Sequence, residues 1–301
     1  MASLTRSSQT LERLGGSYEG SVLEHYRSSP QYDCSRAADM AQTDRSEKLR
    51  QTIEAEIIPR LMLLHSSAEM AESDAPTNDN RRVSLDVVEF LEVVLDLDLK
   101  FSQHYIELLI EQGVSLDRVF LGLMAPAARR LGDLWLSDER SFAEVTIGLG
   151  QLQQLLRIYG SEFQSEEGEE IGSCRMILSP TKSDQHTFGL CVLDLYMRRA
   201  GCDVELFSKF ELPTMTRKVK GEWIDVIGLS AGCDVLIDEL SSDIKCLRRA
   251  SFNSSVEVIV GGPAFIGHPE RVASVGADGF AEDAPQAVHL VRGMMKRAAR
   301  G

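Results

Sequence analysis

The sequence predicts an α/β protein in which an N-terminal four-helix bundle precedes a five-stranded, parallel, doubly wound sheet of the Rossmann or flavodoxin type. After residue 173, short β-rich runs alternate strictly with helical stretches over short connections, which is typical of parallel sheets with helical crossovers. Between Ser84 and Gln164, apolar residues recur at intervals of three and four, which is typical of packed helices. We therefore expect a helical-bundle domain at 83–165 and a sheet domain at 173–301.

The first 82 residues differ in composition from both predicted domains. Ser, Arg and Gln are frequent there, and Gly15-Gly16 and Ser28-Ser29-Pro30 interrupt any periodic pattern. One helix is predicted over Arg45 to Ser67, followed by a linker at 70–82. We expect residues 1–82 to form a largely disordered extension with this one helix.

Local patterns predict each element of the two domains in order. In the bundle, amphipathic runs such as Asp86 to Leu95 and Arg118 to Ala125 are separated by short polar breaks, which predicts about four helices. In the sheet domain, β-rich runs predict strands at Arg175–Ser179, Asp203–Phe207, Asp225–Ser230, Val256–Val260 and Gly279–Ala281. Stretches with helical periodicity predict helices at Gly189–Ala200, Thr214–Gly221, Val235–Ala250, Pro269–Val275 and Ala284–Arg297.

An Asp-x-His-x-x-Gly motif follows the first predicted strand and is formed by Asp184, His186 and Gly189. This position is the carboxyl end of a strand, where open α/β sheets bind their ligands. A histidine that ligates a metal usually donates its other ring N–H to a carboxylate, so Asp184 is a candidate partner for His186. Gly189 would let the backbone approach a flat ligand, because it has no Cβ. The motif predicts a metal or cofactor site.

Two later strands end in residues that suit the same site. Ser230 ends the third predicted strand, and Gly261-Gly262 follows the fourth. The carboxyl ends of parallel strands lie on one edge of a sheet, so these residues are expected near the histidine motif.

These three motifs together resemble the cobalamin-binding domain of methionine synthase, methylmalonyl-CoA mutase and their relatives. In that family the dimethylbenzimidazole of cobalamin leaves cobalt, and the motif histidine takes the lower axial position. The resemblance implies that His186 is the cobalt ligand, that Asp184 supports it, and that Ser230, Gly261 and Gly262 form the slot for the nucleotide tail. The family usually has Ser-x-Leu after the third strand, whereas this chain has Gly232 at the third position.

The bundle also contains a segment, from Leu131 to Thr146, that resembles the cap over cobalamin in methionine synthase and in light-sensing cobalamin repressors. In those relatives a Trp lies against the upper face of the corrin, and the resemblance implies this role for Trp135. An ordinary place in the bundle core is the alternative for Trp135. Many relatives carry Glu-His on the next helix, where this chain has Val145-Thr146, so we expect a cap without a polar upper ligand.

Composition narrows the classes of function. The formal net charge of −14 at pH 7 disfavours direct DNA binding, because affinity for a duplex depends on Lys and Arg that neutralise phosphates. There is no apolar run long enough to span a bilayer and no signal-like start, so we expect a cytoplasmic protein with no membrane association. The six cysteines lack C-x-x-C spacing, which disfavours a zinc site or a disulfide framework.

The sequence around Trp135 is similar to that of the AerR/PpaA group, which are cobalamin-binding antirepressors that act on CrtJ/PpsR-type repressors of photosynthesis genes. That resemblance implies a light- or redox-responsive regulator rather than an enzyme, with hydroxo-, aquo- or adenosylcobalamin bound. A corrinoid carrier of a methyltransferase system is the alternative. A receiver-like or nucleotide-binding flavodoxin-type domain also stays open; it would use Gly261-Gly262-Pro263 as a phosphate loop, but Ser230 occupies the place of a phosphorylatable Asp.

Overall fold

The structure is a computed structural model that describes residues 85–96, 98–166, 168, 170–182, 184, 187–232 and 237–298. The predicted extension at 1–82, with its helix, lies outside the described residues. In the described ranges, helices precede a parallel sheet with flanking helices, which confirms the predicted α/β class. Among these residues, no helix is both long and apolar enough to cross a bilayer.

The helical region consists of four rods, as predicted. The third rod is continuous, because Phe120 and Ala125, which join its three segments, both have right-handed helical backbone. The segments of the region are α1 Val87–Asp96, α2 Leu99–Glu111, α3 Leu116–Val119, a π-helical turn Phe120–Met124, α4 Ala125–Leu136 and α5 Phe142–Ser165.

The π-helical turn has a local cause in the sequence. Pro126 lies in the first turn of α4 and cannot donate a backbone hydrogen bond, and in a regular α-helix its ring would press on the carbonyl of Gly122. A wider turn directly before the proline relieves this contact without breaking the rod. The periodicity alone did not predict this feature.

The sheet has five parallel strands in the order β2-β1-β3-β4-β5. Its elements are β1 Cys174–Pro180, α6 Phe188–Arg199, β2 Cys202–Leu206, α7 Leu212–Gly221, β3 Val226–Ser230, α8 Ile237–Ala250, β4 Glu257–Gly261, α9 Pro269–Val275, β5 Gly279–Ala281 and α10 Ala284–Ala298. The predicted strands and helices therefore agree with the structure to within two residues at each end. The chain leaves β1 for β2 on one side and returns to β3 on the other, so the switch point lies between β1 and β3.

The helical region packs on the sheet region through α6. Helix α5 lies against α6, and α4 also contacts it. The approach of α5 is close: a Cβ added to Gly160 would lie 3.0 Å from Cδ2 of Leu195. Phe163 of α5 is fully buried, and its ring lies 5.0 Å from that of Phe120 and 4.8 Å from that of Tyr196. The described parts of both regions therefore belong to one compact unit.

A polar contact links the two regions at the edge of this aromatic cluster. Asp117 of α3 accepts two hydrogen bonds from the Arg199 guanidinium, each 3.0 Å, and one from the Tyr196 hydroxyl at 2.8 Å. The guanidinium also stacks on Phe163, with 3.8 Å between Cζ and the ring centroid. Charge-assisted bidentate bonds of this kind are among the stronger polar contacts in proteins. We call the Asp117–Arg199–Tyr196 group the interdomain latch.

Replacing Arg199 with alanine is expected to lower the free energy of unfolding by about 2–4 kcal/mol, the sum of a charged hydrogen-bonded pair and a cation–π contact. Partial burial would raise the pKa of Asp117, but hydrogen bonds from Arg199 and Tyr196 outweigh it and hold that pKa below its ordinary value. The carboxylate then stabilises the fold fully above its unfolded-state pKa of about 3.9, and this contribution is lost as the pH falls through the folded value.

Urea unfolding at neutral pH and near pH 3 measures both effects. The difference between wild type and Arg199→Ala should be large at neutral pH and should shrink in acid. Arg217→Ala is the control, because Arg217 is exposed and forms no ion pair within the described residues, so a change below about 0.5 kcal/mol is expected. Equal effects of the two substitutions at neutral pH would contradict the latch.

Candidate functional site

The strand register brings the predicted motif positions together at one edge of the sheet. Pro180 at the end of β1 is opposite Ser230 at the end of β3, Ser230 is opposite Gly261 of β4, and Gly261 is opposite Ala281 of β5. We call this row of strand ends the carboxyl edge. Ser230 and Gly261 are therefore neighbours in space although about 30 residues separate them in the sequence.

Two hydrogen bonds tie the loop after β1 to β3 and its loop, and a third closes the β1 loop on itself. The Thr181 amide donates to the carbonyl of Ser230 at 2.8 Å, and the Asp184 amide donates to the carbonyl of Thr181 at 3.1 Å. The Asp184 carboxylate accepts from the backbone amide of Gly232 at 2.5 Å. Asp184 thus bridges the loops of β1 and β3 at the switch point of the sheet, which is where such folds bind ligands.

The contact between Asp184 and Gly232 was not predicted. The sequence suggested Asp184 as a partner of His186, and it flagged Gly232 only as a departure from the family pattern. His186 lies outside the described residues, so its role as cobalt ligand stays a prediction. The Gly232 donor is a backbone amide, and such donors leave no trace in a pattern of side-chain types.

Lys182 gives the same loop a second anchor that the sequence did not suggest. Its ammonium lies 3.2 Å from a carboxylate oxygen of Glu239 and 3.8 Å from one of Asp243, both on α8. Asp243 is buried, with a relative exposure of 6%, and burial raises its pKa. The loop that carries the histidine motif is therefore held by β3 on one side and by α8 on the other.

The glycines of the motifs differ in what surrounds them. Gly262 has a φ of +94°, and a Cβ there would lie 2.5 Å from the carbonyl oxygen of Ala231 and 3.0 Å from Oγ of Ser230. Because Gly262 has no side chain, the loop after β3 can pack directly against it. A Cβ at Gly261 would lie 3.0 Å from the carbonyl oxygen of Ala281. At Gly189, which is exposed, no atom of another described residue lies within 4 Å of the Cβ position, so the described part of the chain leaves the space beside it open.

The helical region exposes an apolar patch where the sequence resembles a cap. Trp135 is 49% exposed and Phe142 is 69% exposed, and their rings meet edge to face with centroids 6.3 Å apart. Leu136 and Ile147, on the same two helices, are also exposed, at 77% and 60%. Trp135 is therefore not a bundle-core residue. Contiguous exposed apolar surface of this kind marks binding sites.

A tight turn holds the two rings of the apolar patch together. Asp138 has a φ of +58°, a conformation that Asp tolerates better than most residues, and it reverses the chain after α4. Ser141 caps α5 in a reciprocal pair with Glu144. Hydrogen bonds from Ser141 and Arg140 lower the pKa of Glu144 to about 2. The turn is therefore fixed by its own hydrogen bonds, and the patch is presented on a rigid support.

Val145 and Thr146, which stand in the place of the Glu-His pair, provide little polar chemistry to the apolar patch. The Thr146 hydroxyl donates to the carbonyl of Phe142 within the helix, with 2.7 Å between the oxygens. That hydroxyl is therefore already engaged within its own helix.

These features suit a large flat ligand such as cobalamin. The apolar patch provides an apolar surface on α4 and α5, and the carboxyl edge provides hydrogen-bonding loops and the open space beside Gly189. Helix α4 contacts α6, whose first turn contains Gly189, so the two sets of residues belong to packed neighbouring elements. The apolar patch and the open surface fit the group that the sequence resemblance implies.

Comparisons with known proteins agree with this reading. Residues 175–289 match the model of the B12 binding domain. The chain is 26% identical to an uncharacterized 20.5 kDa protein from the bchF-crtJ intergenic region of Rhodobacter capsulatus. The match spans 152 residues, which cover 50% of this chain and 79% of that protein. The chain is also 28% identical to a corrinoid protein of Desulfitobacterium hafniense (strain Y51). That match spans 163 residues, which cover 53% of this chain and 71% of that protein.

The fold is similar to that of the monomethylamine corrinoid protein of Methanosarcina barkeri. The TM-score is 0.58 at 14% sequence identity, and the match covers 68% of this chain and 96% of that one. At this identity the similarity supports the fold alone.

Proposed function

We propose that this chain, whose residues 175–289 match the model of the B12 binding domain, is a light- or redox-responsive antirepressor that acts on a DNA-binding repressor of the CrtJ/PpsR type. As a cobalamin-binding protein it would report on its cofactor and turn over no substrate. The observation that carries the proposal is the exposed Trp135–Phe142 pair, supported on a rigid turn and with Val145-Thr146 in place of polar residues. The relative from the bchF-crtJ intergenic region supports the choice of partner.

In this proposal each candidate residue has a defined role. His186 would bind the cobalt of the cofactor. Asp184 supports that ligand, and Gly189 leaves room for the macrocycle. Ser230, Gly261 and Gly262 line the slot for the nucleotide tail, and Trp135 covers the upper face. Hydroxo-, aquo- and adenosylcobalamin are the candidate forms, and the last supplies a cobalt–carbon bond that light can break.

The chain's own part in the proposed switch is a change in packing between the two regions. The interdomain latch fixes the α3 end of the third helical rod to α6, whereas Trp135 lies at the opposite end of the rod, in the last turn of α4. A larger upper group on bound cobalamin would displace the end of the third helical rod that carries Trp135. A smaller group would allow that end to pack closer to the sheet region. The ligand form would thereby shift the population between two arrangements of the helical region.

A corrinoid carrier of a methyltransferase system is the second candidate function. The 28% identical corrinoid protein of D. hafniense favours it. A carrier must expose the upper face of its cofactor to a methyltransferase, so it predicts that a bound methyl group is readily transferred to an acceptor. The antirepressor predicts instead that the repressor binds and that its DNA affinity falls.

The test uses the full-length protein reconstituted with each cobalamin form in the dark. The repressor of the CrtJ/PpsR type from the same organism is titrated onto its operator DNA by gel shift, with and without this protein, before and after illumination. We expect release of the repressor from DNA that depends on the cobalamin form or on light. A protein that binds cobalamin but leaves the repressor–DNA complex intact in every state would refute the antirepressor function and favour the carrier.

Trp135→Ala is expected to separate cofactor binding from switching. The substitution removes about half of the aromatic pair, so the effect of ligand form or light on the repressor should fall by about tenfold, while His186 still holds cobalt. The visible absorption of bound cobalamin and the gel shift measure the two properties. Ile158→Ala is the control, because Ile158 is also an exposed apolar residue, at 42%, but lies on α5 more than four turns after Phe142. It should leave both the cobalamin spectrum and the gel-shift response unchanged.

A further inference from the structure

A second exposed aromatic pair lies at the amino end of the sheet, opposite the carboxyl edge. Trp223, just before β3, is 51% exposed, and Phe252, just after α8, is 68% exposed. Their rings meet edge to face, with centroids 6.1 Å apart and planes at 83°. Neither ring takes part in the proposed cobalamin site, so their exposure calls for another explanation.

The backbone and side chains hold this pair in place. The Trp223 indole N–H donates to Asp225 at 2.8 Å, and the Phe252 amide donates to the carbonyl of Val219 at 2.7 Å. Asn253, which is 4% exposed, donates to the carbonyl of Ile224 at 3.0 Å and so joins the two loops. The rings are thus presented to solvent on a rigid support, which lowers the entropy lost when a partner binds them.

Four basic residues are exposed on α7 and α8, the helices that end two residues before Trp223 and Phe252. Arg217 and Lys220 are exposed on α7, and Lys245 and Arg249 are exposed on α8, which packs beside α7. None of the four forms an ion pair with another residue in the ranges that the structure describes. The nearby acidic groups Glu205 and Glu222 are instead neutralised by Lys218, at 2.6 and 2.7 Å. This local positive charge contrasts with a net charge of −14 for the chain.

The outer face of α8 carries Ser242, Lys245, Cys246, Arg249 and Ala250. These residues lie on one stripe of the helix, and the stripe ends near Phe252. We call the surface formed by Arg217, Lys220, Trp223, Lys245, Arg249 and Phe252 the basic-aromatic face.

We propose that the basic-aromatic face is the docking surface for the protein partner, and that the partner presents carboxylates around an apolar side chain. The inference rests on the proposed function, because it assigns the surface that the repressor uses. Exposed Trp and Arg on rigid supports are the residue types that dominate binding energy at protein interfaces. The carboxylates would pair with cations that form no ion pair within the described part of the chain, so their pairing breaks no ion pair that the structure describes.

A protein partner fits this face better than a nucleic acid does. Duplex binding draws on many phosphate contacts along an extended polyanion, and the negative charge of the remaining surface would repel the parts of the duplex beyond the face. A short acidic segment of a protein partner would stay close to the four cations. The negative charges of this chain that lie more than one Debye length away, about 8 Å at physiological ionic strength, would be largely screened from it. The face also lies away from the carboxyl edge, so it stays accessible with cobalamin bound.

Two variants test the face by charge and by shape. Lys245→Glu with Arg249→Glu reverses two charges on α8, and Trp223→Ala with Phe252→Ala removes the ring pair. The control is Lys296→Glu with Arg297→Glu, an equal charge reversal in the last turn of α10, which packs on α6. Each full-length variant is loaded with hydroxocobalamin, and its affinity for the CrtJ/PpsR-type repressor is measured by fluorescence anisotropy, with a random duplex DNA as a separate probe.

We expect each test variant to bind the repressor at least about tenfold more weakly, with the control and the cobalamin spectrum unchanged. Cys246, which is exposed on the same face, should also be alkylated more slowly in the wild-type complex. If wild type binds the repressor and both test variants bind it equally well, the face is not the docking surface although the proposed function stands. Loss of duplex binding instead of repressor binding would overturn the choice of a protein partner. If cobalamin-loaded wild type binds no repressor, the proposed function fails and this inference fails with it.

Discussion

Replacing His186 with alanine is expected to weaken cobalamin binding by on the order of 100-fold or more and to change the visible spectrum of whatever remains bound. Loss of a residue that merely supports a metal ligand costs about 10–100-fold in affinity, so loss of the ligand itself should cost at least as much. The loop that carries His186 is anchored by Ser230, Gly232 and α8, so the alanine variant should keep its fold. Retention on gel filtration and the absorption spectrum measure the effect.

His289→Ala is the matched control for His186→Ala. His289 is exposed on α10, where its ring lies 3.2 Å from the Arg292 guanidinium. The control should retain cobalamin with the wild-type spectrum. Wild-type retention and spectrum in His186→Ala would show that this histidine is not the ligand.

Replacing Gly262 with alanine is expected to lower the free energy of unfolding by about 2–5 kcal/mol. Positive φ costs a residue with a Cβ about 1–2 kcal/mol, and overpacking adds about 1–3 kcal/mol. Overpacking is unavoidable here, because the new Cβ would lie 2.5 Å from the Ala231 carbonyl oxygen, which is backbone and cannot rotate away. Urea unfolding of the protein without cobalamin measures the loss, so the result does not depend on ligand binding.

Gly267→Ala separates the two contributions at Gly262. Gly267 has a similar φ of +76°, but no atom lies within 4 Å of its Cβ position. This control should lose only the conformational part, about 1–2 kcal/mol. If both variants lose the same amount, the β3 loop does not press on Gly262 as the geometry implies.

The strands and the carboxyl edge were predictable because they follow from local patterns. The run Val226–Ser230 is almost entirely buried, so its apolar character is continuous, and it ends at the motif residue Ser230. Once five parallel strands are assigned, the register brings the ends of β1, β3 and β4 to one edge without further information. The motif residues on those ends could therefore be grouped from the sequence alone.

The contacts that hold the site together were not predictable in the same way. The bond from Gly232 to Asp184 uses a backbone donor, and the interdomain latch joins Asp117 to Arg199 across 82 positions of the chain. Both depend on how elements pack in three dimensions, which periodicity does not encode. The exposure of Trp135 likewise follows from the turn at Asp138, whose left-handed backbone is unusual for a residue with a side chain.

The most direct test of the central claim, that His186 coordinates cobalt, is electron paramagnetic resonance of the cobalt(II) form in protein labelled with ¹⁵N-histidine. A ¹⁴N nucleus splits each cobalt line into three and a ¹⁵N nucleus splits it into two, so the labelled protein distinguishes histidine from the unlabelled dimethylbenzimidazole of the cofactor. We predict a two-line splitting in the wild type and in His289→Ala, and its loss in His186→Ala. A three-line splitting in the labelled wild type, or a two-line splitting that persists in His186→Ala, would contradict the claim.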